Sequence, residues 1–153
     1  FPTRRSSDLE RREELTTEGG LNVLGQLDRI TEITRELTEQ GIDVSLFIDP
    51  DEEQIRAAYA AGVPTVELHT GRYAELEGDA AENELNRIKS GVALGISLGL
   101  TMNAGHGLHV GNVVPVARIP GMNELNIGHA LVARAVFIGI PAAVTEMKRL
   151  INA

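Results

Sequence analysis

Apolar residues along the chain change their spacing in a regular way. Leu21, Leu24, Leu27, Ile30, Ile33 and Leu37 recur every three or four positions. That is the period of a helix with one buried stripe, and Gly41 is placed to end it. Val44 to Ile48 is a continuous apolar run, short enough for a buried strand. Asp49-Pro50-Asp51-Glu52 reads as a helix start, with Asp49 as the cap, Pro50 in the first turn and Glu52 three residues past the cap. This second helix is expected to reach Ala61 and stop at Gly62. Thr65 to His69 is the next strand. A long helix follows from Ala80 to Leu98, with Leu85, Ile88, Val92 and Ile96 on one face and Gly99 as the stop. Leu100 to Asn103 is the third strand, and Asn112 is placed to cap a short helix that tolerates Pro115. Glu124 to Ile127 is the fourth strand. Ala130 to Ile151 is helical, with a break at Gly139-Ile140-Pro141.

The expected order alternates strictly, α-β-α-β-α-β-α-β-α, which means parallel strands joined by right-handed crossovers. An open doubly wound sheet and a (β/α) barrel both satisfy that order. Length favours the open sheet, because a complete eight-stranded barrel takes about 250 residues and only four strands are legible here. Strand polarity favours the barrel. In Thr65 to His69, Val66 and Leu68 share one face while Thr65, Glu67 and His69 share the other. In Glu124 to Ile127, Leu125 and Ile127 oppose Glu124 and Asn126. Strands covered by helices on both sides should be apolar on both faces. These have one face for helices and one for a polar interior, so the expected fold is α/β, part of a (β/α)8 barrel with about four parallel βα units.

Composition narrows the function. With 153 residues, 42% of them apolar, the chain can bury a core, which must be aliphatic because aromatics make up only 3%. A formal charge of −8 speaks against nucleic acid, since binding a phosphate backbone takes a concentrated basic surface. The absence of cysteine excludes disulfides, thiolate zinc sites and thiol nucleophiles, and fits a reducing cytoplasm. No apolar stretch approaches the roughly 20 residues of a spanning helix, so no membrane partner is expected. No histidine pair has helical ligand spacing, and neither a metal nor another cofactor is expected. The acidic residues from Asp49 to Glu53 are accounted for by helix capping and the helix dipole.

Candidate chemistry gathers at two Gly-His dipeptides. Gly105-His106-Gly107 closes the run Leu100 to Ala104, and Gly128-His129 closes Glu124 to Ile127. A strand that ends on glycine and then presents histidine brings bare backbone N–H groups and a titratable ring to one spot. Such groups suit small phosphorylated substrates at the C-terminal ends of parallel strands.

The chain resembles the pyridoxine 5'-phosphate synthase family. The resemblance is carried by Thr16-Thr17-Glu18-Gly19-Gly20, Val44 to Asp49, Asp51 to Ile55, Val66-Glu67-Leu68-His69-Thr70-Gly71, Ser97 to Leu100, Asn103 to Leu108, and Glu124 to His129. It implies a (β/α)8 barrel that assembles as a homo-octamer. It also implies condensation of 1-deoxy-D-xylulose 5-phosphate with 3-amino-2-oxopropyl phosphate, giving pyridoxine 5'-phosphate, phosphate and water. By this resemblance His106 is the proton donor and Glu67 stabilises the transition state. Gly107, Gly128 and His129 hold 3-amino-2-oxopropyl phosphate, and Thr16 contacts deoxyxylulose phosphate. The chemistry fits these residue types. Ring closure eliminates water, a poor leaving group until an acid such as imidazole protonates it, and a carboxylate can offset the charge of an iminium. His69, on the face of Glu67, reads as packing or support, and His109 as solvated.

The matched segments correspond to strands five to eight of the family's barrel. Residues 9–153 are therefore expected to be its C-terminal half, and residues 1–8 (F-P-T-R-R-S-S-D) a foreign tail. The family's proton acceptors lie in the other half, so the chain alone is expected to be inactive. A non-catalytic phosphate-binding half-barrel is the alternative, and another phosphosugar barrel enzyme a third.

Overall fold

The computed structural model describes residues 19–152; Thr16 and the proposed foreign tail lie outside them. A short 3-10 turn, Leu24–Gln26, leads into α1, Leu27–Glu39. There follow β1 (Ser45–Ile48), α2 (Glu52–Ala60), β2 (Thr65–His69), α3 (Gly71–Glu75) and α4 (Gly78–Ser97). The chain continues through β3 (Thr101–Gly105), α5 (Val113–Ala117), β4 (Met122–Asn126), α6 (His129–Ile138) and α7 (Ile140–Ile151). The four strands form one sheet in the order β1-β2-β3-β4, every neighbour parallel.

That consecutive order decides between the two architectures. A doubly wound sheet reverses direction at a switch point, which sends its helices to both faces. A sheet that only steps forward, with right-handed crossovers, receives its helices on one face. The chain is therefore a partial (β/α) barrel. Leu46, Ile48, Val66, Leu68, Met102 and Ala104 point to the helical layer, each no more than 2% exposed. They meet Ile55, Ala58, Ile88 and Val92 of α2 and α4, which are fully buried. The helix α4 crosses the sheet closely because it carries glycine where it touches: a Cβ on Gly95 would run into the Met102 sulfur, and one on Gly91 would crowd Ile55 and Leu68.

Most elements lie where the apolar pattern places them, and the departures have local causes. Leu21 is outside the first helix; its N–H donates to the Phe47 carbonyl at 2.8 Å, binding the incoming chain to β1. Asp49 does not cap α2, which starts at Glu52 with Asp51 in the cap position. Strand β3 extends through Gly105, so this glycine belongs to the sheet and the turn begins at His106. The five residues of α3 were hidden by their shortness. Tyr73 anchors them, 8% exposed, with its hydroxyl donating to the Asn112 carbonyl at 3.0 Å. Asn112 precedes α5 as expected, but its side chain does not cap that helix; its Oδ1 accepts from the His109 N–H at 2.7 Å. Gly139, at φ +82°, makes the expected break between α6 and α7.

The last βα unit is the least covered. No residue of α6 is buried, and Val136 and Phe137 are 78% and 85% exposed. Burial thus predicts opposite outcomes for two truncations. Ile88→Ala, in the core, should cost about 2–5 kcal/mol, while Val136→Ala should stay within about 0.5 kcal/mol, both measured by urea denaturation.

Candidate active site at the C-terminal edge of the sheet

The sheet face without helices is polar by construction. Strand register aligns Phe47, Glu67, Asn103 and Glu124 in one row, and His69, Gly105 and Asn126 in the next. Alternation puts both rows on the face opposite Val66 and Leu68. Glu67 reaches across β3 to β4, where its Oε2 accepts a hydrogen bond from Asn126 Nδ2 at 2.8 Å. Gly105 makes that reach possible, because a Cβ there would collide with Glu67 Oε1. A β-bulge at the β3–β4 seam leaves Asn123 as an extra residue, and its Nδ2 donates to the Oδ1 of buried Asn103 at 2.9 Å.

One step further along β3 the backbone turns sharply. His106 has φ +78°, the one non-glycine residue among those described in this left-handed region. Such a conformation is costly for a side chain with a Cβ, and it persists when the surroundings over-determine it. Thr70 supplies that constraint. Its N–H donates to the Gly105 carbonyl at 2.8 Å, and its hydroxyl lies 2.6 Å from both the Gly105 and His106 carbonyls. Thr70 itself is fully buried. Gly107 continues the turn at φ +71°, close against Ala74. The Gly107 carbonyl accepts from Asn112 Nδ2 at 3.2 Å.

Three rings meet at this corner. The His106 ring centroid lies 5.1 Å from that of Phe47 and 5.3 Å from that of His69, with His69 nearly perpendicular to it. His69 is 7% exposed, and its Nδ1 lies 3.1 Å from Asp49 Oδ1; because a carboxylate only accepts, this bond calls for the proton on Nδ1. This bond leads in holding the Asp49 carboxyl below the usual aspartate range. Burial opposes it, while the Gly20 N–H and the positive charge of Arg87 add to it.

Of the site residues inferred from sequence, Glu67 lies in the polar row and His106 at the corner above it. Gly107 follows His106. Gly128 and His129 stand one strand over, at the exposed start of α6, where Gly128 occupies the cap position with open space around its Cα. Because all strands are parallel, both Gly-His turns leave the same edge of the sheet. Asp49, Thr70 and Asn126 shape this corner and were given no role by motif reasoning, while Gly105, already part of a Gly-His dipeptide, clears the path of Glu67. Asn126 was signalled by its alternation with Glu124, but Asp49 was disguised as a helix cap and Thr70 carried no periodic signal.

The family model for pyridoxal phosphate biosynthesis protein PdxJ matches residues 9–153. The chain belongs to the PdxJ family. Among solved structures, the YdjI aldolase from Escherichia coli K12 superposes with a TM-score of 0.51 at 11% sequence identity. The match covers 86% of this chain and 52% of the aldolase. At that identity the likeness speaks for the fold alone, and the PdxJ-family chain spans about half the length of this neighbour. No described helix is long and apolar enough to cross a membrane.

Two outcomes follow from this geometry. Thr70→Val keeps the shape but leaves the Gly105 and His106 carbonyls without their hydroxyl donor, and should lower stability by about 1–3 kcal/mol in a thermal melt. Asp49 has a folded pKa below its ordinary 3.8, so it binds fewer protons folded than unfolded. Its contribution is then fully present above pH 3.8 and lost as pH falls through the lower folded value. Because Asp49 is 40% exposed, solvent screening limits that contribution to about 1 kcal/mol. Acid titration of unfolding should show this loss in the native chain and not in Asp49→Asn.

Proposed function

We propose that this chain carries the C-terminal half of the active site that condenses 1-deoxy-D-xylulose 5-phosphate with 3-amino-2-oxopropyl phosphate to pyridoxine 5'-phosphate. The observation that supports this reading best is the clamped His106 turn, which presents an imidazole at the edge of a row containing Glu67. In this reading His106 gives a proton to the departing hydroxyl, so that water leaves as the ring closes. Glu67, fixed by Asn126, offsets the positive charge of the iminium formed on the way.

The phosphate of 3-amino-2-oxopropyl phosphate is assigned to Gly107, Gly128 and His129. Gly107 lacks a side chain on a left-handed turn, and Gly128 sits open at the N-terminal end of the ten-residue α6. Backbone N–H groups at the C-terminal edge of barrel strands commonly hold phosphate in this way. Thr16 is assigned to the deoxyxylulose phosphate, just ahead of the Gly20 segment.

The proton acceptors of the reaction are assigned to a complementary half-barrel, with residues 9–153 as one half and residues 1–8 as foreign sequence. The chain alone is then unable to turn over. Supplying both substrates and assaying pyridoxine 5'-phosphate should give no product, and turnover would refute the dependence on a second half. Titrating the isotope-labelled chain with inorganic phosphate should move the amide resonances of Gly107 and Gly128. Unmoved glycine signals would remove the phosphate assignment.

A further inference from the structure

Asp49 lies between two parts of the molecule that are far apart in sequence. On one side its carboxylate accepts from the Gly20 N–H, and on the other from the His69 ring. His69 in turn stands edge-on to His106. Gly20 and the turn that carries His106 are thereby joined through one carboxylate and one imidazole.

Glycines clear the way at both ends. A Cβ on Gly20 would strike the backbone of Ile48 and Asp49, so only glycine brings this N–H so close to the end of β1. A Cβ on Gly71 would strike His69 Nε2, so the ring fits into its niche only beside glycine. Neither glycine has positive φ, so close approach, and not backbone conformation, accounts for both. Packing alone does not call for a histidine here: an aliphatic side chain would fill a site 7% exposed beside Phe47 without needing a polar partner. With its Nδ1–H given to Asp49, the ring is held in a single tautomer and a single orientation.

We propose that Asp49 is a positioning residue, which acts through His69 to couple the seating of Gly20 to the orientation of the His106 imidazole. The inference rests on the proposed role of His106 as proton donor. When Gly20 is seated on Asp49, His69 is fixed and His106 is braced against it. Thr70 fixes the backbone of the His106 turn, whereas Asp49 and His69 brace one side of its ring.

The test needs no turnover, so it separates this coupling from the assignment of the reaction. Nitrogen-15 NMR of the histidine rings and amide hydrogen exchange are measured on the whole chain and on Asp49→Ala and Asp49→Asn. In the unmodified chain His69 should carry its proton on Nδ1. Asp49→Ala should lose that preference, shift the His106 ring signals, and speed exchange of the Gly20 amide at least about tenfold. Asp49→Asn keeps a carbonyl oxygen as acceptor and should restore the His69 tautomer and the His106 signals, which a merely charge-dependent role would not allow. If Asp49→Ala fails to fold, the Asn variant and the tautomer of the unmodified chain still decide. A proton on Nε2 of His69 in the unmodified chain overturns the proposal. So do His106 signals that stay in place while Gly20 exchange rises.

Discussion

A parallel sheet whose strands step forward in one direction receives every right-handed crossover on the same side. The rest of this structure depends on that constraint. It leaves one face of β1 to β4 packed under α2 and α4 and gives the other face no described helix to bury against. The buried face is accordingly aliphatic, from Leu46 and Ile48 through Val66 and Leu68 to Met102 and Ala104. The opposite face carries Glu67, His69, Asn103, Glu124 and Asn126, which an apolar cover would leave costly to bury. Fold and polarity are therefore one feature, because the face that no described helix reaches is the face that carries the polar side chains.

Missing side chains make the site as much as those present. Gly105 lets the Glu67 carboxylate cross β3 to Asn126, Gly71 admits the His69 ring, and Gly20 brings an N–H to Asp49. Around these gaps the polar groups are held by hydrogen bonds from outside their own strand. Thr70 holds the His106 turn, Asn123 holds Asn103, and Asn112 ties its own N-terminal loop. Contacts within the protein thus hold the Glu67 carboxylate and the His106 turn in place.

Period and polarity made the strands, the long helices and the barrel-like face of β2 legible in the amino-acid sequence. Glu67 and His106 stand out in the sequence because motifs surround them. What escaped depends on tertiary partners. The Asp49-Pro50-Asp51-Glu52 segment carries every local mark of a helix cap, yet His69 and Gly20, twenty residues or more away, claim the Asp49 carboxylate. Thr70 looks like any residue after a strand until β3 lies beside it. Leu21 fits a helical stripe but is drawn into a hydrogen bond with Phe47. Strand order, too, is invisible to periodicity, since an open sheet and a barrel share the same alternation of elements.

Strand order is thus the central claim, and cross-strand NMR contacts test it most directly. Backbone proton contacts should link Leu46 with Val66, Val66 with Met102, and Met102 with Met122, in parallel register. Contacts that instead seat β1 beside β3, as in a doubly wound sheet, would contradict the account and place helices over the face assigned here to the active site.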